Sequence, residues 1–162
     1  MKKKIIIIGG VAGGATAAAR LRRISEEVEV IIVERGEHIS FANCGLPYYI
    51  GETIKERKKL LVQTVKGMSE RFNLDIRIFS EAIHINSESK TVTIKNLQSG
   101  EVYEESYDTL LLSPGAQPIV SLIPGIEEHE SLFTLRNIPD TDYIKNYVDT
   151  KQPKKAVVIG AG

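Results

Sequence analysis

Residues 4–14 read KIIIIGGVAGG, an apolar run that enters a cluster of glycines. A short apolar run such as Lys3–Ile8 is typical of a parallel strand that is buried on both faces. Glycines at the end of such a strand allow the backbone to turn sharply and to approach a bound phosphate closely. The stretch therefore predicts a strand followed by a ligand-binding turn.

The residues after the glycines complete a strand–helix–strand unit. Small and apolar side chains recur at helical spacing as far as about Glu26, which predicts a helix. The segment Glu29–Glu34 is a second apolar strand that ends in an acid. In a dinucleotide-binding βαβ unit, the helix N-terminus offers N–H groups to a pyrophosphate, and an acid such as Glu34 accepts hydrogen bonds from a ribose hydroxyl.

The glycine fingerprint departs from its usual form at one position. Gly9 and Gly14 match its first and last glycines, whereas Val11 stands where the middle glycine is expected. A glycine-rich match alone is a weak signal, and a tightly packed βαβ unit without a ligand is the alternative. Because the strand, the helix, the second strand and the terminal acid are all present, we favour dinucleotide binding.

The only cysteine of the chain lies in the segment SFANCGLPYY, residues 40–49. The pattern predicts a loop that enters a helix, with Asn43 as its N-cap and Pro47 in its first turn. A thiol at the positive end of a helix dipole favours its thiolate, which is the reactive form. A lone cysteine without context is more often buried and inert, and this is the alternative for Cys44.

The rest of the chain predicts an antiparallel meander inserted into a parallel fold, and hence the α/β class. Runs rich in β-branched residues alternate with turn residues such as Ser99-Gly100. Helices are expected over Thr64–Phe72, with Thr64 as its cap, and over Pro139–Val148, and strands over Asp75–Phe79, Ala82–Asn86, Thr91–Asn96, Val102–Tyr107 and Leu110–Leu112.

The end of the chain repeats the opening pattern. Residues 155–162 predict a buried strand that runs into a Gly-x-Gly turn at Gly160 and Gly162. We therefore expect a Rossmann-like domain over residues 1–150, and over residues 151–162 the first strand and partial glycine turn of a second, truncated domain. A strand and half a turn without the following helix cannot hold a dinucleotide.

Composition argues against several classes of function. The 162 residues contain 21 Lys and Arg and 21 Asp and Glu, so neither nucleic acid nor an anionic membrane surface is expected as the main partner. One cysteine excludes an internal disulfide framework and fits a reducing compartment. The three histidines, His38, His84 and His129, show no metal-ligand spacing with Cys44, so no metal site is expected.

The N-terminus looks superficially like a targeting signal. Lys2–Lys4 precede an uncharged run, as in a signal peptide. The run is too short to span a bilayer, and its glycines suit a tight turn better than a signal helix. We therefore expect a cytoplasmic protein.

Three arginines near the end of the first helix have two interpretations. Arg20 and Arg23 lie one turn apart, and Arg22 lies between them. Such a trio is more often a solvated basic face near a helix C-terminus. The alternative is a clamp for the phosphate of an anionic substrate near Cys44.

Several segments together resemble the pyridine nucleotide-disulfide oxidoreductases, and in particular their single-cysteine branch. That branch contains the coenzyme A-disulfide reductases and related NAD(P)H oxidases and peroxidases. The motif SFANCGLPY is most similar to the coenzyme A-disulfide reductase form, and in this branch the position of Val11 is commonly not glycine. The segments, which cover essentially the whole chain, are Ile5–Ala19, Glu34, Ser40–Gly51, Tyr107–Gly115, Leu132–Asp142 and Val157–Gly162.

The resemblance implies an FAD site, the start of an NAD(P)H site and a substrate pocket. Cys44 would face the flavin and alternate between a thiolate and a mixed disulfide with coenzyme A. At the FAD, the implied residues are Gly9, Gly10, Val11, Ala12, Gly13 and Gly14 for the pyrophosphate, Glu34 for the adenosine ribose, and Arg35, Asn43, Ser113, Pro114 and Gly115. Gly160 and Gly162 would open the NAD(P)H site, and Ser40, Asn43, Arg20 and Arg23 would lie at the coenzyme A pocket.

The resemblance also implies the reaction. Electrons from NAD(P)H would reach the Cys44 mixed disulfide through FAD, and a coenzyme A thiolate would leave. Peroxidases of the branch carry a histidine at the position of Ala12, so a peroxidase is not expected, whereas an NADH oxidase is an alternative. The second cysteine of glutathione reductase relatives is also absent, so Cys44 needs an external thiol to form its disulfide.

Relatives of this kind complete the FAD site with downstream residues and the active site with a partner subunit. The resemblance therefore implies a homodimeric parent enzyme, and this chain alone is expected to lack turnover. A short non-catalytic protein that binds FAD, an adenine nucleotide or coenzyme A is the remaining alternative.

Overall fold

The computed structural model describes residues 2–120, 123–126, 129 and 131–159. The chain divides into two compact units, residues 1–41 with 61–116 and residues 42–60 with 117–162. In chain order the elements are β1 (Lys4–Ile8), α1 (Ala12–Ile24), β2 (Glu29–Val33), α2 (Leu46–Ile50), α3 (Val65–Phe72), β3 (Asp75–Arg77), β4 (Ser80–Asn86), β5 (Thr91–Asn96), β6 (Val102–Ser106), β7 (Thr109–Leu112) and α4 (Ile138–Lys151). Two 3₁₀ turns, Asn43–Gly45 and Arg57–Leu60, lie on either side of α2 in the sequence.

A four-stranded parallel sheet lies at the centre of the first unit, in the order β3-β2-β1-β7. Ile6 of β1 pairs with Ile31 of β2 on one side and with Leu110 of β7 on the other. Ile6 and Ile31 are fully buried. A continuous apolar run suits β1 because a strand in the middle of a parallel sheet is covered on both faces.

Different elements cover the two faces of the parallel sheet. One face packs against α1 and α3, and the alanines of α1 allow the helix to approach the strands closely. The other face packs against the antiparallel sheet β4-β5-β6. This arrangement confirms the predicted α/β fold with an inserted meander. The first cluster includes Ile7, Ala15, Ala18, Ile32 and Met68, and the second includes Ile6, Ile31, Val92 and Ile94.

Three charged side chains connect the meander to the parallel sheet. The Glu105 carboxylate of β6 accepts hydrogen bonds from Lys4 Nζ at 2.6 Å and from Arg77 Nη1 at 2.8 Å. Burial alone would raise the pKa of Glu105, but these two cations hold that pKa below its usual value. The hydrogen bond to Glu105 correspondingly raises the pKa of Lys4. The connection therefore depends on an ionised Glu105.

The second unit consists of short helical segments and one longer helix. Its buried apolar side chains include Leu46, Leu60 and Ile138, each at most 2% exposed. Helix α4 begins with a capping box, in which the Asn137 side chain accepts the N–H of Asp140 and the Asp140 carboxylate accepts the N–H of Asn137. The expected helix is confirmed and is a few residues longer than predicted.

Most of the other expected elements are also present. The strands of the meander lie within two residues of their predicted bounds. Thr64 caps α3 as predicted, because its side-chain oxygen accepts the N–H of Gly67 at 3.0 Å. Among the helices of the described ranges, none is long and apolar enough to cross a membrane.

The buried strand predicted near the end of the chain is wrong for residues 155–159. Val157 and Val158 are 88% and 84% exposed, and the segment has no regular structure. A strand needs a neighbour to complete its hydrogen bonds, and within the described part of the chain no strand pairs with this segment. Gly160 and Gly162, with the turn predicted there, lie outside the described residues. The domain boundary predicted at residue 150 stays a prediction.

Candidate functional site

The first glycine turn joins β1 to α1, and its packing leaves no room for a side chain at two positions. Gly9 has a φ of +95°, and a Cβ at this position would overlap the carbonyl oxygen of Ser113. A Cβ at Gly14 would overlap the carbonyl oxygen of Gly9. The first and last glycines of the fingerprint are therefore required by the turn itself.

The middle of the turn is less constrained. Val11 precedes α1 with a φ of −90°, so this position of the turn does not need the positive φ that favours glycine. Ala12 and Gly13 open the helix and are exposed. Small exposed residues at a helix N-terminus leave its N–H groups accessible to an anion.

Glu34 follows β2, and its carboxylate bonds the glycine turn through one oxygen and its own loop through the other. Oε2 accepts the N–H of Gly10 at 2.7 Å, and Oε1 accepts the N–H of Gly36 at 2.7 Å. A carboxylate offers about four acceptor positions, so about two remain for further donors. Glu34 can therefore fix the turn and still accept a hydrogen bond from a ribose hydroxyl.

A cleft of about 180 Å³ opens beside Glu34 in the first unit. Arg35 and Glu81 form an ion pair there with an Nη1–Oε1 distance of 3.6 Å, and the Arg35 side chain is 72% exposed. Ser80 and Glu81 were not predicted as site residues, because the meander was expected to begin only at Ala82. The cleft is lined by Ile8, Gly9, Val33, Glu34, Arg35, Ser80, Glu81, Ala82 and Pro114.

The segment after β7 lies against the glycine turn, as the resemblance implied. The N–H of Ser113 donates to the carbonyl of Ile8 at 2.8 Å, and a Cβ on Gly13 would lie 2.9 Å from Ser113 Oγ. Pro114 lines the cleft, and Gly115 follows with a φ of +74°. The parallel pairing of β1 with β7 produces this contact, because it places the ends of both strands at one edge of the sheet.

Ser40 also contacts the glycine turn through its backbone. Its N–H donates to the carbonyl of Gly10 at 3.1 Å, and its own carbonyl accepts the N–H of Val62 at 3.0 Å. Its φ of +46° lies in the left-handed region, which is uncommon for serine. Strained backbone of this kind persists where the surroundings hold it, often at functional sites.

Cys44 lies in the second unit, in the middle of the 3₁₀ turn Asn43–Gly45, and it is exposed. The alternative expectation that Cys44 is buried is therefore wrong, and its reactivity stays a prediction. The helix that follows, α2, has only five residues, with Pro47 in its first turn as predicted. The dipole contribution expected for the thiol is correspondingly small, because the macrodipole is summed over few peptide units.

The prediction of Asn43 as an N-cap is wrong. The 3₁₀ turn is preceded by Ala42 and α2 by Gly45, and no side chain caps either segment. The chain tightens into the 3₁₀ turn one residue earlier than expected, so Asn43 is already inside it and its carbonyl accepts the N–H of Leu46. The Asn43 side chain is exposed.

Of the three arginines of α1, Arg22 is buried and Arg20 and Arg23 are exposed. Arg22 is 9% exposed, and its guanidinium donates to carbonyls that include those of Phe72 at 2.7 Å and Asn73 at 2.8 Å. Arg22 therefore joins the end of α1 to the end of α3. Arg20 and Arg23 are exposed, as both interpretations required.

The structure adds a third arginine to this surface. The Arg23 guanidinium lies 5.9 Å from the centre of the Phe72 ring, and Arg71 lies 5.2 Å from the same centre. Arg71 was not predicted as a site residue, although its position beside Phe72 on a predicted helix was the available signal. Two guanidinium groups on one ring form a basic surface suited to phosphate.

In the first unit, most of the predicted cofactor residues are in mutual contact. The exposed Ala12 and Gly13 leave the N–H groups at the start of α1 accessible to a pyrophosphate, and Glu34 has acceptor positions left for a ribose hydroxyl. The residues present therefore fit the adenosine and pyrophosphate of a dinucleotide. Their individual roles stay predictions. Within the described ranges, no group of three His, Cys, Asp or Glu residues is arranged to hold a metal ion.

The chain is similar to known proteins along its whole length. The profile of the pyridine nucleotide-disulphide oxidoreductases matches residues 3–162. A coenzyme A disulfide reductase of Staphylococcus epidermidis is 43% identical over 160 residues, which are 98% of this chain and 35% of that protein. The chain therefore spans about a third of the length of this relative.

Solved structures of other proteins share the fold, among them a CoADR-RHD and a persulfide reductase. The reduced CoADR-RHD of Bacillus anthracis is 68% identical with a TM-score of 0.92, over 95% of this chain and 28% of that one. An NAD-dependent persulfide reductase from A. fulgidus is 32% identical with a TM-score of 0.84, over 91% of this chain and 27% of that one.

Proposed function

The chain belongs to the pyridine nucleotide-disulphide oxidoreductase family, and on that basis we propose that it serves the NAD(P)H-dependent reduction of coenzyme A disulfide, with FAD as cofactor and Cys44 as the redox-active thiol. The observation that carries the proposal is an exposed Cys44 within SFANCGLPYY, in a chain that resembles coenzyme A disulfide reductases along its length.

All the proposed FAD ligands except Asn43 belong to the first unit. Gly9, Gly10, Val11, Ala12, Gly13 and Gly14 would hold the pyrophosphate, Glu34 the adenosine ribose, and Arg35, Ser113, Pro114 and Gly115 would line the site, with Asn43 as a further contact. When bound, FAD would act as the electron carrier, which takes up a hydride from NAD(P)H and passes two electrons to a disulfide. The support is the exposed start of α1 at Ala12 and Gly13, the acceptor positions that Glu34 has left and the cleft beside it.

Cys44 would carry out thiol–disulfide exchange. Its thiolate attacks one sulfur of coenzyme A disulfide, so that the substrate S–S bond breaks, a Cys44–coenzyme A disulfide forms and one coenzyme A thiolate leaves. Two electrons then cleave the mixed disulfide, which releases the second thiolate and restores that of Cys44. Exposure of the thiol supports this role, since both substrate and leaving group need access to the sulfur.

Arg20 and Arg23 would bind phosphates of coenzyme A, with Ser40 and Asn43 at the same pocket. Both arginines are exposed, and Arg71 adds a third cation beside Arg23. Arginine suits this task because its planar donors bind phosphate oxygens in pairs. Gly160 and Gly162 remain proposed for the NAD(P)H site, and a homodimer and a cytoplasmic location complete the proposal.

The visible absorbance spectrum of the purified protein, supplied with FAD, tests this function. We expect a flavin spectrum with a long-wavelength charge-transfer shoulder that is lost when Cys44 is alkylated. In the complete enzyme, Cys44→Ser should retain FAD and lose disulfide reduction. Unchanged disulfide reduction in that variant would exclude Cys44 as the redox thiol, and NADH oxidation that needs oxygen but no disulfide would favour an oxidase instead.

A further inference from the structure

Within the second unit, an arginine–aspartate pair joins the segment after Cys44 to α4. Arg57 Nε lies 2.7 Å from Asp142 Oδ1, and Arg57 Nη2 lies 2.7 Å from Asp142 Oδ2. Both side chains are about 40% exposed. An exposed ion pair usually contributes little, but a two-point arginine–carboxylate pair fixes direction as well as distance.

Helix α4, which carries Asp142, is held in place by its capping box and by buried side chains. Its first turn is closed by the capping box, and Ile138 and Thr141 are at most 1% exposed. One turn after Asp142, Lys145 donates to Glu52 at 3.2 Å, and the Lys145 side chain is only 14% exposed. Two residues on one face of α4 therefore hold both ends of the segment 52–57.

Contacts continue from Arg57 to the turn that carries the thiol. Arg57 begins the 3₁₀ turn that ends at Leu60, whose carbonyl accepts the N–H of Ala42 at 2.8 Å. The Leu60 side chain is fully buried, and a Cβ on Gly45 would lie 3.2 Å from its Cδ2 atom. Ala42 and Gly45 are the residues directly before and after Asn43-Cys44 in the sequence.

We propose that Arg57 and Asp142 are positioning residues for Cys44. The pair fixes the 3₁₀ turn Arg57–Leu60 to α4, and Leu60 then sets the backbone of residues 42–45 and with it the direction of the thiol. The short helix α2 has no side-chain cap, so this turn needs support from outside. The inference rests on the proposed function only in taking Cys44 as the reacting thiol.

Hydrogen exchange and thiol chemistry on the same variants test the proposal. In Asp142→Asn the carboxylate becomes an amide that accepts at one atom only, so we expect amide exchange at Ala42 and Gly45 to accelerate about fivefold. The rate constant of Cys44 with a small aromatic disulfide should change about threefold or more, because the geometry of attack is altered. Asp142→Glu restores a carboxylate and should recover part of both effects.

Asp75→Asn is the matched control, because Asp75 forms a comparable ion pair with Arg77 at 2.7 Å in β3. It should leave exchange at Ala42 and Gly45 and the Cys44 rate constant unchanged. The proposal is overturned if a folded Asp142→Asn protein behaves as the wild type in both measurements, or if Asp75→Asn has the same effects. Faster exchange with an unchanged thiol rate would also overturn it, since the pair would then hold the turn without affecting the sulfur. None of these outcomes bears on whether Cys44 is the redox thiol, which the Cys44→Ser measurement decides.

Discussion

The glycine turn of the first unit and the cysteine turn of the second unit are held in different ways. In the glycine turn, backbone atoms from three parts of the chain are in contact. The Glu34 carboxylate bonds the N–H of Gly10 in that turn and the N–H of Gly36 in the loop after β2. In the cysteine turn, helical segments of three and five residues carry no side-chain cap, and the thiol is exposed. A cradle for a cofactor requires a fixed backbone, whereas a reacting sulfur requires access.

The strongest test of this difference is Gly9→Ala. The new Cβ overlaps the Ser113 carbonyl and the φ is positive, so we expect a loss of about 3 kcal/mol or more in the free energy of unfolding, measured in urea. Gly100→Ala is the control, because Gly100 has a φ of +78° and nothing within 4 Å of the added atom. It should cost only about 1 kcal/mol. Equal losses would show that strain, and not packing, governs the turn.

Glu34→Gln should have the next largest effect. The amide accepts through one oxygen only and turns a donor toward one of the two N–H groups, so we expect a loss of about 2 kcal/mol. Weaker FAD binding should accompany it, as measured by titration of flavin fluorescence. Glu26→Gln, at an exposed position on the chain, serves as the control and should change neither quantity.

Removing the Glu105 carboxylate should have a smaller effect on the free energy of unfolding, and this effect should depend on pH. Glu105 and its partners all lie in the first unit. Folding lowers the pKa of Glu105 from its ordinary value of 4.5. The contribution of the Glu105 carboxylate to the free energy of unfolding is therefore complete above pH 4.5 and is lost as the pH falls through the pKa of the folded state. We expect Glu105→Gln to cost about 1 kcal/mol at pH 7 and less at pH 3, measured by urea unfolding at both pH values.

Glu104→Gln is the comparison for that measurement, since Glu104 is an exposed neighbour on β6. The gap between its stability and that of the wild type should not depend on pH. A constant gap for Glu105→Gln as well would contradict the assigned role of the carboxylate.

Cys44→Ser should have the smallest effect on stability. The side chain is exposed, so we expect the free energy of unfolding to change by less than about 0.5 kcal/mol. Thermal unfolding of the two proteins, side by side, measures this. A loss comparable with that of Glu34→Gln would mean that the cysteine turn is packed as tightly as the glycine turn.

Local patterns in the sequence predicted most helices and strands correctly, but they did not predict the tertiary contacts between those elements. The apolar run, the glycines and Glu34 predicted the βαβ unit because each signal lies within a few residues. The contact of Ser113 with Gly9 depends on β7 pairing with β1, which no local pattern specifies; only the resemblance implied it. Ser80 and Glu81 were missed as cleft residues because β4 begins at Ser80, two residues before the predicted start of that strand.

The wrong predictions also have physical causes. Asn43 has the composition of an N-cap, but the choice between a 3₁₀ and an α start depends on packing of Gly45 against Leu60. Residues 155–159 have the composition of a buried strand, but a strand forms only beside a partner. In the sequence, nothing separates Arg22 from Arg20 and Arg23. Only the fold shows that Arg22 is buried while the other two are exposed.

The pairing of β1 with β7 has a consequence for synthesis on the ribosome. The first strand leaves the ribosome roughly a hundred residues before its neighbour on one side, which at ordinary translation rates of about 5–20 residues per second is a delay of about 5–20 s. During that interval one edge of an apolar strand lacks its partner, and such edges promote association between chains. The edge of β1 that later pairs with β7 therefore stays open until Leu112 has emerged, whereas β2 can already pair with the opposite edge.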